Sequence, residues 1–271
     1  MKRVLRADFF ELRKSKTVWM LPLIAVLMGF LLPMMYYGIV VLFDKISELP
    51  GLESDSMASL KVMMNTLTAK TVFYSCLPFS QGFGFVMAAI LGFRAVRPFG
   101  TGIYRNKVIA QIPRGSIYLS QLLYCELLAM VSVCIFTVVT ALMTRMTFGP
   151  LELSGRAIWV LALLSFGIYL VYTAICVFAA FLTRSILPTI LIGILTPVLA
   201  QTVFSLTATA LSGASDVLKN LMSVLPSIQS TYMADPQTPD KILWISIVSD
   251  AAITAILTLI GVFRFKRTDL N

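Results

Sequence analysis

The chain of 271 residues contains no histidine, four cysteines and few charged residues, 13% in all. Without an imidazole, His-based general-base catalysis and His-ligated metal centres are excluded. Cys76, Cys125, Cys134 and Cys176 all fall inside apolar stretches. Their spacing suits neither a metal site nor a disulfide framework, so they read as small apolar side chains. The Gly-x-x-x-x-Gly-Lys-Ser/Thr loop that cradles nucleotide phosphates does not occur, and neither do paired carboxylates in the segments expected to face the cytoplasm, a metal cluster or an exposed nucleophile. The sequence therefore predicts a chain that is not itself an enzyme and holds no cofactor or metal of its own.

What it has in quantity is apolar length. Hydrophobic residues make up 58% of the chain, and the mean hydropathy of +0.87 is far from the balance of a soluble domain. Six stretches are long enough to cross a bilayer core of roughly 30 Å at about 1.5 Å per residue: 18–43, 71–93, 116–143, 157–183, 185–211 and 242–263. Four of them hold no charge, while Glu126 and Asp250 interrupt the third and the sixth. Alternation with a period of two is missing, which argues against a barrel. The fold class predicted is an all-α membrane protein of six transmembrane helices forming a single domain over residues 1–271.

Lys and Arg fix the expected orientation, because short cytoplasmic segments retain an excess of positive charge. Residues 1–17 carry six, the second connection five, Arg184 stands alone in the fourth and the tail adds Arg264, Lys266 and Arg267, which is 15 of 22. The opposite side holds seven, beside eight of the 13 acids. Both termini are thus expected in the cytoplasm, and the net charge of +9 needs no nucleic-acid partner. The opening basic region is too long, and the apolar run after it too extended, for a cleaved signal. In residues 1–17, Leu5, Phe9 and Leu12 share one helical face while Arg6, Arg13 and Lys14 lie elsewhere, which predicts a helix in the membrane surface against lipid.

The connection 94–115 has five basic residues, no acid, and turn-forming residues at Pro98, Gly100, Gly102, Pro113 and Gly115. Between these, Ile103, Val108, Ile109 and Ile112 alternate with Arg105, Asn106, Lys107 and Gln111, a pattern suited to a short helix parallel to the membrane. The run Gly102-Ile103-Tyr104-Arg105-Asn106-Lys107-Val108-Ile109, with Arg114 and Ile117-Tyr118-Leu119-Ser120 after it, resembles the loop between spans two and three of ABC-2 type transporter permeases. These are the six-span membrane subunits of bacterial ABC exporters. Phe10-Glu11-Leu12-Arg13-Lys14 is similar to the family's N-terminal Glu-Leu-x-Lys segment, and Phe263-Arg264-Phe265-Lys266-Arg267-Thr268-Asp269-Leu270 to its closing motif. Family members often carry an acid just before the Gly-Thr of the loop; here Arg97 and Pro98 stand near that place, so contacts of that acid do not transfer.

The resemblance implies a permease subunit in the bacterial cytoplasmic membrane, paired with a second, identical or homologous, permease chain and with two copies of a separate ABC ATPase that binds ATP and magnesium. Arg105, Asn106, Lys107 and Arg114 become the expected ATPase-coupling residues, Phe9, Glu11, Arg13 and Lys14 the interfacial helix, and 212–241 an external loop that re-enters the membrane. Export of a small or membrane-embedded substrate such as a drug, peptide or lipid follows from the same resemblance.

Polar groups inside the spans leave other readings open. Ser246, Asp250, Thr254 and Thr258 recur every four residues, and Gln201, Ser205 and Thr209 do the same in the fifth stretch, which puts a polar stripe on one face of each helix. Glu126, Gln201, Ser205, Asp250 and Thr254 are candidates for a transport path or a subunit interface, with plain inter-helix hydrogen bonding as the alternative. Glu126 and Asp250 are also the only plausible ion carriers of a gradient-driven secondary transporter, and a non-transporting scaffold fits the same composition.

Overall fold

The computed structural model describes residues 16–47, 67–77, 82–210, 224–233 and 239–267, with the side chains of 16, 17, 47, 204–210, 227 and 231 excepted. The expected interfacial helix, with Phe9, Glu11, Arg13 and Lys14, lies outside them. Among the described residues every regular element is a helix: α1 (Lys16–Ser47), α2 (Ala69–Cys76), α3 (Phe83–Gly100), α4 (Ile103–Ile109), α5 (Arg114–Phe148), α6 (Gly155–Thr183), α7 (Ile186–Ala210), α8 (Pro226–Tyr232) and α9 (Asp240–Lys266). Six of these, α1, α3, α5, α6, α7 and α9, are long and apolar enough to cross a membrane. The protein is an all-α membrane protein with six spans.

Close contacts fix the direction of each helix. Gly29 of α1 packs on Phe136 and Val139 of α5, and Tyr37 meets Phe148 further along both helices, so α1 and α5 run in parallel. Gly115, at the start of α5, lies against Val262 and Lys266, at the end of α9; these two are antiparallel. Gly167 of α6 faces Asp250 of α9, and Arg156 pairs with Asp240 at the start of the same two helices, making them parallel. Gly92 and Ala88 of α3 meet Thr189 and Gly193 of α7 in reverse order. The start of α1, the end of α9 and the α3–α5 connection therefore share one end of the bundle.

At the centre stands α6, packed against α3, α5, α7, α8 and α9. From Ile168 to Phe181 no face of it is exposed, while Ile158, Trp159, Leu163 and Phe166 nearer its start face outward, and the small residues Gly167, Ala174, Ala179 and Ala180 let neighbours approach closely. Outward, α1, α7 and α9 present Trp19, Leu23, Leu187, Leu191, Trp244 and Val248. In water such a surface would drive aggregation, whereas in lipid it matches the solvent.

Two expectations need correction. The second stretch, 71–93, is not one span: α2 stops at Cys76 and α3 starts at Phe83, with Pro78, which has no N–H to donate, in the sequence between them. Tyr169 of α6 donates its hydroxyl to the Leu77 carbonyl across 3.5 Å, which serves one acceptor freed at the break. The connection expected at 94–115 is also shorter, because α3 continues through Arg94, Arg97 and Pro98 to Gly100, and α5 already begins at Arg114. Pro98 has no N–H for the Arg94 carbonyl and so weakens the last turn, two residues before the helix stops at Gly100. Gly102 then adopts φ +70°, a left-handed conformation that reverses the chain at little cost only with glycine.

The packing of α3, α6 and α7 generates a direct test. A Cβ at Gly193 would lie 2.9 Å from the Cys176 sulfur and 3.2 Å from the Ala88 Cβ, whereas nothing lies within 4 Å of one at Gly38. Gly193→Leu is expected to lower the unfolding free energy by about 1–3 kcal/mol, read from SDS-titrated unfolding in mixed micelles. Gly38→Leu should leave the midpoint unchanged or slightly raised.

Candidate functional site

The short helix α4 lies across the bundle end between α3 and α5 and packs on both. Its sequence divides cleanly by face. Tyr104 is buried, with Val108 and the following Ile112 packed partly against the core. Arg105, Asn106, Ala110 and Gln111 are exposed, and among them Ile109 presents an apolar side chain that is 70% exposed.

Tyr104 joins a cluster of rings drawn from five helices. Phe99 of α3 meets it edge-on at 4.6 Å, and Phe181 of α6 lies 5.3 Å away. Phe181 in turn touches Phe99 at 5.1 Å, Tyr118 of α5 at 4.8 Å and Phe265 of α9 at 4.9 Å. Edge-to-face contacts of this kind add about 0.5–1.5 kcal/mol each beyond the area they bury. The Arg184 guanidinium, at the left-handed cap of α6, stands 6.0 Å over the Phe99 ring, within reach of a cation–π attraction. Through these rings α4 is packed onto four spanning helices, α3, α5, α6 and α9.

The four residues expected to couple do not stand together. Arg105 and Asn106 project from α4, but Lys107 is half-buried and lines a crevice with Arg94, Pro98, Ile103, Tyr104, Gln121 and Tyr124. Arg114 is the first residue of α5, and its Nη1 donates to the Lys266 carbonyl at 3.2 Å. A basic side chain on the last carbonyls of a helix satisfies groups that have no partner within it; Arg114 stitches α5 to α9.

Arg94 was expected in an aqueous loop and is instead 7% exposed, inside α3. Its Nε donates to the Tyr124 hydroxyl of α5 at 3.1 Å, and its guanidinium carbon stands 5.2 Å from that ring's centroid. Charge counting could not see this, since it treats every basic residue beyond an apolar run as solvated.

The second polar feature is at mid-bundle. Asp250, 3% exposed, lies about 15 Å from the start of α9. It accepts a hydrogen bond from Gln229 Nε2 of α8 at 2.9 Å, a partner that no sequence pattern singled out. Ser246, one turn earlier, is buried too, while Thr254 is half-buried. Glu126 of α5 and Gln201 of α7 are half-buried on other helices. Among the described residues Asp250 makes no hydrogen bond to Glu126, Gln201 or Thr254, and the side chain of Ser205 lies outside them. Among the described residues no three His, Cys, Asp or Glu side chains cluster as a metal site would need.

Removing the central ring of α4 tests the docking. Tyr104→Ala should cost about 3 kcal/mol, as a large-to-small core change does, and is expected to speed tryptic cleavage at Arg105 and Lys107 in the folded chain. Tyr104→Phe keeps the ring contacts and loses the long hydroxyl bond to the Ala95 carbonyl, 3.5 Å; cleavage should stay close to the unmodified rate.

No protein-family model matches this chain, and no curated protein matches it in sequence.

Proposed function

We propose that the chain is the membrane-spanning permease subunit of an ATP-driven exporter of the ABC-2 type. The observation that carries this reading is α4: a short helix whose exposed face offers Arg105, Asn106 and Ile109 while Tyr104 locks its other face into the spans. A helix that served topology alone would need its charges but not the rings behind it.

In this reading the bundle end bearing α4 faces the cytoplasm of a bacterium, both termini lie on that side, and two copies of a separate ATPase bind there. ATP and magnesium belong to that partner. Closure of the ATPase pair displaces α4, and the rings pass the movement to α3, α5, α6 and α9. The free energy of the inward and outward states is then biased by the nucleotide, as any coupling between two sites requires. A second permease chain, identical or homologous, completes the complex. The exported compound is small or embedded in the membrane.

The test is a mild-detergent pull-down of the full chain from its native membrane, with the co-purifying ATPase quantified. Arg105→Glu and Ile109→Asp are each expected to lower ATPase recovery by about tenfold, since desolvated charge pairs and apolar anchors dominate interface energies. Asp240→Asn, an exposed change at the far end of α9, should leave recovery unchanged. Equal recovery from all three variants, or no ATPase with the unmodified chain, would sink the reading.

A further inference from the structure

The bond between Asp250 and Gln229 belongs to no part of the coupling surface. It joins α9 to α8, a helix of seven residues, far too short to hold its shape on its own. Its position must come from contacts with the bundle. Pro226 starts it with φ already set for a helix, Ile228 and Met233 are buried, and it packs against α6, α7 and α9. The Ser165 hydroxyl of α6 points to the Met233 sulfur at 3.9 Å, a weak contact. Gln229 is 0% exposed and reaches Asp250 about 15 Å below the end where α9 begins.

The other carboxyl oxygen of Asp250 occupies the space beside Gly167 of α6, where a Cβ would collide with it. A carboxyl group at mid-span is costly wherever lipid surrounds it. Here it is enclosed by three helices, accepts one short bond, and fits only because residue 167 has no side chain. An apolar residue at 250 would fill the same space with less penalty, so the carboxyl is matched to what it holds.

We propose that Asp250 and Gln229 are positioning residues that latch α8 into the middle of the bundle, with Gly167 as the socket for the carboxyl. Releasing this one bond frees the contact between α8 and α9 without disturbing the ring cluster at the α4 end. The inference concerns where α8 sits and stands whether or not the chain exports anything.

Hydrogen–deuterium exchange of the full chain in lipid nanodiscs, read on peptides covering 226–233, tests it. Gln229→Leu and Gly167→Ala are each expected to raise exchange there about tenfold, because a buried polar bond is expensive to leave unmade. Peptides covering 103–109 should keep the unmodified rate. Asp250→Asn preserves an acceptor for Gln229 and should stay close to the unmodified chain. The latch is overturned if Gln229→Leu leaves exchange over 226–233 unchanged, or if Asp250→Asn loosens α8 as much as Gln229→Leu does. It is equally overturned if the peptides over 103–109 loosen in step, since the bond would then support the whole bundle rather than α8.

Discussion

Everything at the α4 end depends on the ring of Phe181. It touches rings from α3, α5 and α9 together with Tyr104 of α4. Lipid tails are as apolar as leucine, so burying another leucine between two spans gives little reason to prefer one partner over another. Ring quadrupoles do prefer, because edge-to-face contacts constrain angle as well as distance. The Phe181–Phe265 pair, with ring planes at 90°, sets how α9 leans on α6. Tyr118 completes the seam only because Gly261 leaves space for its ring.

Away from that end the seams are mostly aliphatic, with Phe83 stacked on Phe136 at 4.5 Å, and a few polar contacts are set among them. At the start of α6 and α9, Arg156 and Asp240 meet at 2.8 Å with both side chains largely exposed, an ion pair contributing at most about 1 kcal/mol. Between the two ends sits the enclosed bond of Asp250. The bundle is thus joined at the α4 end by interlocked rings from five helices, and further along by apolar packing into which polar bonds are set.

The sequence carried the architecture because spanning lipid leaves one solution for each long apolar run, and six of them predicted six spans. It carried α4 for a related reason: turn residues bracket a segment whose apolar and polar positions alternate at helical spacing. It failed where a boundary depends on who the neighbours are. Arg94 reads as loop by charge, yet Tyr124, 30 residues later, supplies the partner that lets it stay inside α3. The break after Cys76 was hidden because Leu77-Pro78-Phe79-Ser80-Gln81-Gly82 carries no charge, so the uncharged run reads on through its turn-forming residues. Gln229 carried no local signal at all, since its role exists only once α8 lies beside α9.

The two polar devices of the bundle answer different physical demands. Arg94, enclosed against Tyr124, and Arg114, on the Lys266 carbonyl, each fasten a pair of spans near the α4 end, where a long side chain is close to the membrane boundary. Asp250 has no such escape, because a short side chain at mid-span cannot reach either surface. Its enclosure by α6, α8 and α9 therefore has to be complete, and a complete enclosure is lost all at once when one wall moves. The place of α8 is therefore fixed jointly by its packing on α6 and α7 and by this one enclosed bond to α9, with no slack in a close-packed interior for either to shift alone.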